Sequence, residues 1–399
     1  MTTSSSAVAR GAVVPGITRL LGSDRAAIAG GRVGLVCNPA SVDVAFRHSA
    51  DLLFDDADVR LTAIFGPQHG FRSDLQDNMI ETPHARDARR RVPVYSLYSE
   101  TREPSAEMLR EVDVLVVDLQ DVGTRVYTYI YTMANCMRAA SRHGVRVVVC
   151  DRPNPIGGVQ VEGATLREPW TSFVGQFPIP LRHGMTIGEL ARLFNDAFGL
   201  GSALDVVMLE GWRREMYFDG TGLPWVIPSP NIPTLESAVA YPGAVLFEGT
   251  QLSEGRGTTR PFELIGAPWI DGERLADAMN ARGLPGVHFR PVFFEPTFNK
   301  HARRTCGGCQ IHVTERRTFE PVRTSVELIA EFRRQDSAKF GWREPPYEYE
   351  HEKEPIDILY GSDRLRTTVD ATGDVTALIE SWKPEEEAFR RLRERYLLY

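Results

Sequence analysis

The 399-residue chain lacks most of the features that assign a protein to a class at sight. It has five cysteines, and Cys37, Cys136 and Cys150 stand in apolar runs, where a thiol acts as a small core residue. Cys306-Gly-Gly-Cys309 has the spacing of a zinc or redox pair, but no second pair accompanies it, and no metal is expected. No apolar run approaches the length of a membrane span, so no membrane partner is expected. Positive charge is not in excess: 46 Lys and Arg against 53 Asp and Glu give a formal charge of -7, which removes the electrostatic reason to bind nucleic acid. No Gly-x-Gly-x-x-Gly follows the first strand-like run and no Walker A loop occurs, which argues against NAD or ATP and leaves no cofactor expected. A Gly-x-Ser-x-Gly elbow and a His-Glu-x-x-His pair are also missing. Residues 1–16 are rich in Ser, Thr and Ala with one arginine and no apolar core, the composition of a disordered lead-in rather than a signal peptide. That gives a cytoplasmic expectation.

What is present is a rhythm. Arg32 to Cys37, Leu61 to Phe65, Val92 to Leu97, Val112 to Val117 and Val145 to Cys150 are continuous apolar runs. Helix-like stretches lie between them, clearest at Pro104 to Arg110 and Tyr127 to His143. Strands apolar on both faces, alternating with helices, predict an α/β fold with a parallel sheet covered on both sides. Thr186 and Glu189 have the spacing of a capping box, so a helix starts there and Glu189 is structural. Gly199-Leu-Gly-Ser202 reads as a linker. The expected organisation is a lead-in at 1–16, a sheet domain at 17–200 and a smaller α+β domain at 201–399. In the second half, 291–298, 310–314 and 365–370 read as strands, and 324–334 and 384–396 as helices.

Polar residues gather at the C-terminal ends of the apolar runs, the edge where open α/β sheets bind ligands. They include Gln68, His69, Asp118, Gln120, Asp121, Arg125, Arg152 and Asn154, with His183 just before the capped helix. A second concentration is Phe247 to Glu263, which carries Glu248, Glu254, Arg256, Arg260 and Glu263 among bulky aromatics and glycines without any helical or strand period. Charges buried among aromatics need partners. The segment is therefore either an ion-pair clasp between two layers or a ligand-site loop. Many carboxylates with Trp, Tyr, Asn, Gln and Arg suit a sugar site, and glycoside hydrolysis needs a carboxyl proton donor, usually with a second carboxylate.

Several stretches carry a resemblance: Phe65-Gly-Pro-Gln-His-Gly70, Asp118-Leu-Gln-Asp-Val-Gly-Thr-Arg125, Asp151-Arg-Pro-Asn-Pro-Ile-Gly-Gly158, Arg182-His-Gly-Met-Thr186, Pro228-Ser-Pro-Asn-Ile-Pro233 and Glu248 to Glu263. Together they resemble the bacterial exo-β-N-acetylmuramidase family, over nearly the whole chain from about residue 16. The resemblance implies a Rossmann-like domain, a smaller C-terminal domain and an active site in the cleft between them. It implies release of terminal, non-reducing N-acetylmuramic acid from peptidoglycan fragments, so the expected partner is a saccharide or muropeptide. Asn231 in the Pro228–Pro233 motif joins the expected substrate-binding residues. The sequence departs from the family pattern at two points: Gln68 stands where a glutamate is common, and Asp77-Asn78-Met79-Ile80-Glu81 replaces a Gly-Glu pair. Glu81 is the first choice for the catalytic acid, followed by Asp118 and Asp121. Arg256, flanked by glycines, is the expected partner of the lactyl carboxylate. A same-fold hydrolase of another amino sugar or glycoside, and a non-catalytic carbohydrate-binding protein, are the alternatives.

Overall fold

The computed structural model describes residues 12–72 and 80–399. The first part of the lead-in and the Asp77–Met79 stretch lie outside them. The first body is a sheet of seven strands among the described residues: β1 (Arg32–Cys37), β2 (Arg60–Gly66), β3 (Ala85–Arg86), β4 (Pro93–Ser96), β5 (Val114–Asp118), β6 (Arg146–Cys150) and, after two strands outside this sheet, a last one at Leu204–Val207. The two outside it, β7 (Glu162–Thr165) and β8 (Pro180–Arg182), form an antiparallel pair, so the last strand is β9. The order is β3-β4-β2-β1-β5-β6-β9, parallel except for β3 against β4. The apolar runs form these strands because their β-branched residues are covered on both sides: Val116 and Val117, which point to opposite faces, are both fully buried. Burying each such side chain contributes about 1.5–3 kcal/mol.

Two helices set the site. Helix α1 (Tyr129–His143) ends at Gly144, whose φ of 68° makes it a left-handed stop. Helix α2 (Ile187–Asp196) starts with the expected capping box, and Glu189 also accepts bonds from Arg214 and the backbone of Leu398. Its role is structural, as the spacing implies.

The sheet does not stop at residue 200. β9 pairs with β6 beyond the expected linker, so the first body runs past that boundary. The second sheet is antiparallel: β10 (Leu264–Ala267), β11 (Val287–Phe294) and β12 (Cys306–Val313), in the order β10-β12-β11. Cys306 and Cys309 lie on β12, and an odd spacing puts them on opposite faces. The glycines between them admit backbone: a Cβ on Gly308 would lie 2.0 Å from the Ile265 carbonyl oxygen.

One expected strand is a helix. Residues 365–370 lie in a helix, Arg364–Ala371, with Leu365 and Val369 buried four apart on one face. The β-branched run Thr367-Thr368-Val369 suggests a strand, but burial at i and i+4 selects the helix. Among the described residues no helix is long and apolar enough to cross a membrane. One continuous core joins the α1 and α2 side of the first sheet to the second body, and a separate core covers the other side of the sheet. The last residues return to the first body: the Tyr399 hydroxyl donates to Asp151 at 2.7 Å and accepts from the Leu209 backbone at 2.7 Å.

Candidate active site

The parallel sheet changes direction at β1, which is flanked by β2 on one side and β5 on the other. Ligands bind outside the C-terminal ends of strands at such a switch point. A cavity of about 460 Å³, counted to its mouth, opens there. Six segments line it, one of them through Val174 alone. Gln68 and His69 leave β2, and Tyr127, Thr128 and Tyr129 start α1. Ser229, Asn231 and Ile232 come from the proline-rich segment, and Tyr241, Glu248, Arg256 and Phe262 from the 241–262 region. Tyr347 and Glu348 come from a short hairpin. The proline-rich segment is tied to the sheet edge, because the Pro228 carbonyl accepts from Asn38 at 3.1 Å and from the Tyr129 hydroxyl at 3.0 Å.

The hairpin is a two-residue turn: Tyr347 and Glu350 exchange both backbone hydrogen bonds at 2.9 Å. Its central residues, Glu348 and Tyr349, have φ of 46° and 67°. That turn form usually takes Asn-Gly, and bulky residues at positive φ are strained by about 1–3 kcal/mol each. His69 and Phe262, also on the lining, have φ of 69° and 67°. Three lining residues, Glu348, His69 and Phe262, thus hold a conformation that L-residues avoid, as strain does at functional sites.

Two carboxyl groups face the cavity in opposite electrostatic settings. Glu348 is buried, accepts the Tyr98 hydroxyl at 2.6 Å and accepts the Gln68 amide at 3.2 Å. Burial raises its pKa above the ordinary glutamate range, and the nearby charge of Glu248 raises it further, against the pull of those hydrogen bonds. Gln68 is held in that orientation because its carbonyl accepts the Thr128 hydroxyl at 2.8 Å. Glu248 is also buried, and burial alone pushes its carboxyl up. The charge and hydrogen bond of Arg256 at 2.6 Å and the Tyr347 hydroxyl at 2.8 Å outweigh that, and its pKa is lowered. Two carboxyls whose surroundings push them apart in this way are the pattern of a proton donor and an ionised partner.

The 247–263 segment is a clasp and a lining at once. Arg256 stands between Glu248 and Glu254, 3.3 Å from the latter. Lys300 is 2.7 Å from Glu254 and donates to the carbonyls of Phe247, Thr250 and Leu252, so the segment is wrapped around it. Burial lowers the Lys300 pKa, against the attraction of Glu254.

Among the sequence-expected residues, Gln68, His69, Asn231, Glu248 and Arg256 line the cavity, and Glu254 stands behind Arg256. The others lie elsewhere. Glu81 is exposed and outside the lining. Asp118 is fully buried under a two-pronged Arg152 pair at 2.5 and 2.8 Å and a Ser49 hydroxyl, which accounts for both residues as a tie beneath the sheet edge. Asp121 accepts from the Gly123 backbone at 2.7 Å and lies 3.5 Å from His183. Gln120 donates to the carbonyls of Asp121 and Pro153, and Asn154 to that of Met185. Arg125 is fully buried and donates to the carbonyls of Ala164, Ile179 and Leu359, joining the two bodies. Arg260 is half-exposed beside Glu263. Arg256 spends its charge on two carboxylates, so the lactyl role expected of it has no support in its bonding. Sequence reasoning passed over Tyr98, Thr128, Tyr347 and Glu348. The available signal was Pro345-Pro346-Tyr347-Glu348-Tyr349, an acid between two tyrosines behind a rigid proline pair.

Residues 33–236 match the model of the N-terminal part of the exo-β-N-acetylmuramidase NamZ, and residues 239–399 that of its C-terminal part. The chain belongs to the NamZ family. A curated NamZ relative, the peptidoglycan β-N-acetylmuramidase of Bacillus subtilis (strain 168), is 46% identical over 387 residues, which cover 97% of this chain and 91% of that protein. Two crystal structures of DUF1343 family proteins from Bacteroides fragilis are similar to this chain in fold. One has a TM-score of 0.89 at 35% identity, covering 98% of this chain and all of that one. The other has a TM-score of 0.73 at 26% identity, covering 97% and 99%.

Proposed function

We propose that this chain is an exo-acting β-N-acetylmuramidase that removes the terminal, non-reducing N-acetylmuramic acid from peptidoglycan-derived saccharides, with Glu348 as its proton donor. The observation that carries the assignment is the pairing of a carboxyl raised by burial with a second one lowered by Arg256, both on the wall of one cavity. Family membership supports the reaction class.

In this reading Glu348 gives its proton to the glycosidic oxygen as the bond from the anomeric carbon breaks. The leaving sugar departs as an alcohol. Positive charge then builds on the ring, and ionised Glu248 faces it. Both Glu248 oxygens are already bonded, to Arg256 and Tyr347, which suits it to electrostatic stabilisation more than to covalent attack. Water then adds to the anomeric carbon and its released proton returns to Glu348, which Tyr98 and Gln68 hold in one rotamer throughout.

The test is Glu348→Gln assayed on a muramyl disaccharide. Turnover falls about 10²–10⁴-fold, because the alkoxide leaving group needs the proton. The loss is smaller with a nitrophenyl leaving group, which needs little protonation. Full activity on both substrates removes Glu348 from the chemistry and returns Glu81 to first place. Cleavage of a glucosaminide but not a muramide would instead favour a same-fold hydrolase of another amino sugar.

A further inference from the structure

The turn that delivers Glu348 inward sends its neighbour outward. Tyr349 is 39% exposed and does not line the cavity. Its ring is held by Arg102, whose guanidinium lies 4.4 Å from the Tyr349 ring centre and 4.2 Å from that of Tyr98. The Tyr98 and Tyr349 rings meet edge to face at 5.8 Å, and Phe173 completes the cluster at 5.6 Å from Tyr98. Arg102 pairs with no carboxylate among the described residues. Its Nη1 donates to the Ser99 carbonyl at 2.5 Å, which fixes the plane of the fork. A cation held between two aromatic faces is attracted to both, so the ring has a defined orientation despite its exposure.

We infer that Tyr349, braced by Arg102, is the platform for the leaving sugar, on which the CH face of the pyranose next to the scissile bond stacks. The inference rests on the muramidase reading above. The acid bonds the oxygen shared by the two sugars, so the departing ring must lie just outside the cavity beside Glu348. The side chain one residue along the turn is an aromatic ring at that place. Two independent observations agree on it. The two-residue turn places Glu348 on the cavity wall and leaves Tyr349, the next residue, partly exposed off it. The cation clamp and the edge of the buried Tyr98 ring hold a ring that is still partly exposed. Aromatic faces cover the apolar side of a pyranose, and binding energy gained on this ring is available to align the bond with the acid.

The experiment compares Tyr349→Ala with the unaltered chain on two substrates: the β-1,4 disaccharide of N-acetylmuramic acid and N-acetylglucosamine, and methyl β-N-acetylmuramide. Both leaving groups are alkoxides that need the acid, but only the sugar has a face to stack. The platform predicts a loss of about tenfold or more in kcat/KM on the disaccharide, mostly in KM, with less than about a twofold change on the methyl glycoside. Inhibition by free N-acetylglucosamine weakens in parallel. Tyr349→Phe, which keeps the ring and the turn, retains disaccharide activity. Equal losses on both substrates mean that Tyr349 only positions Glu348, and no loss on either means that the ring is idle; each result overturns the inference. Failure of the unaltered chain to cleave either glycoside overturns the muramidase reading itself, and the platform with it.

Discussion

At the scale of single residues, the informative contrast is between Arg256 and Glu348. Arg256 lines the cavity, and from sequence its two flanking glycines make it a natural partner for a substrate carboxylate. Two of its nitrogens are instead committed, Nη2 to Glu248 at 2.6 Å and Nε to Glu254 at 3.3 Å. Removing one member of a buried pair leaves the other uncompensated and costs about 3–5 kcal/mol. Arg256→Ala is therefore expected to lower the unfolding free energy measured in urea by that order and to raise the Glu248 pKa. Any remaining activity falls equally on a muramide and a glucosaminide. A loss confined to the muramide, with stability intact, would restore the lactyl role. Glu348 was illegible for the opposite reason. Its partners, Gln68 and Tyr98, are 280 and 250 residues away in sequence, and no local spacing announces a contact of that range.

At the scale of elements, sequence reading succeeded where the signal is local. The five apolar runs became strands of one parallel sheet, and Thr186 with Glu189 became a capping box. Thr186 does more than its spacing shows, because its hydroxyl also donates to the buried Asp151 at 2.7 Å. Thr186→Ala should cost about 1–2 kcal/mol of unfolding free energy, the upper part of the range for a lost N-cap, measurable by denaturant titration. A change near zero would mean that water replaces both bonds. The strand expected at 365–370 failed because propensity favoured β while Leu365 and Val369 packed as a helical pair. The hairpin at 347–350 was missed because its turn carries Glu and Tyr where turn chemistry favours Asn and Gly. Local preference and observed structure part company at the proposed acid.

At the scale of the whole molecule, the bodies are more tightly joined than a linker at 199–202 implies. Arg125 reaches from the first body to the Leu359 carbonyl, Tyr399 returns to Asp151, and one core runs through both. Such joins are long-range, which is why the sequence showed two compositions but not how they lock. The closure leaves buried acids. Burial raises Asp151 to about 7 and Glu162 to about 8. Each folded-state pKa lies above its unfolded value near 4, so the folded chain holds more protons between about pH 4 and pH 8. Their contribution to stability is full below the unfolded pKa and is lost as pH rises through the folded one. Melting temperature should therefore decline from about pH 5 to pH 8.5, and Glu162→Gln, neutral at every pH, should flatten that decline. An unchanged slope in the variant would show that Glu162 titrates normally.

The two-residue turn at the mouth of the cavity also works as a counter. Tyr347 meets Glu248, Glu348 meets Gln68, and Tyr349 meets Arg102, so three consecutive letters of the chain are dealt to three destinations in order. Nothing in the turn marks a position except its count from the paired ends. A change of one in that count does not weaken the three contacts gradually; it reassigns them all, putting a ring where the proton was and the proton in water. Length here carries information in addition to side-chain identity: a substitution removes one of the three contacts, whereas an insertion or deletion removes all of them.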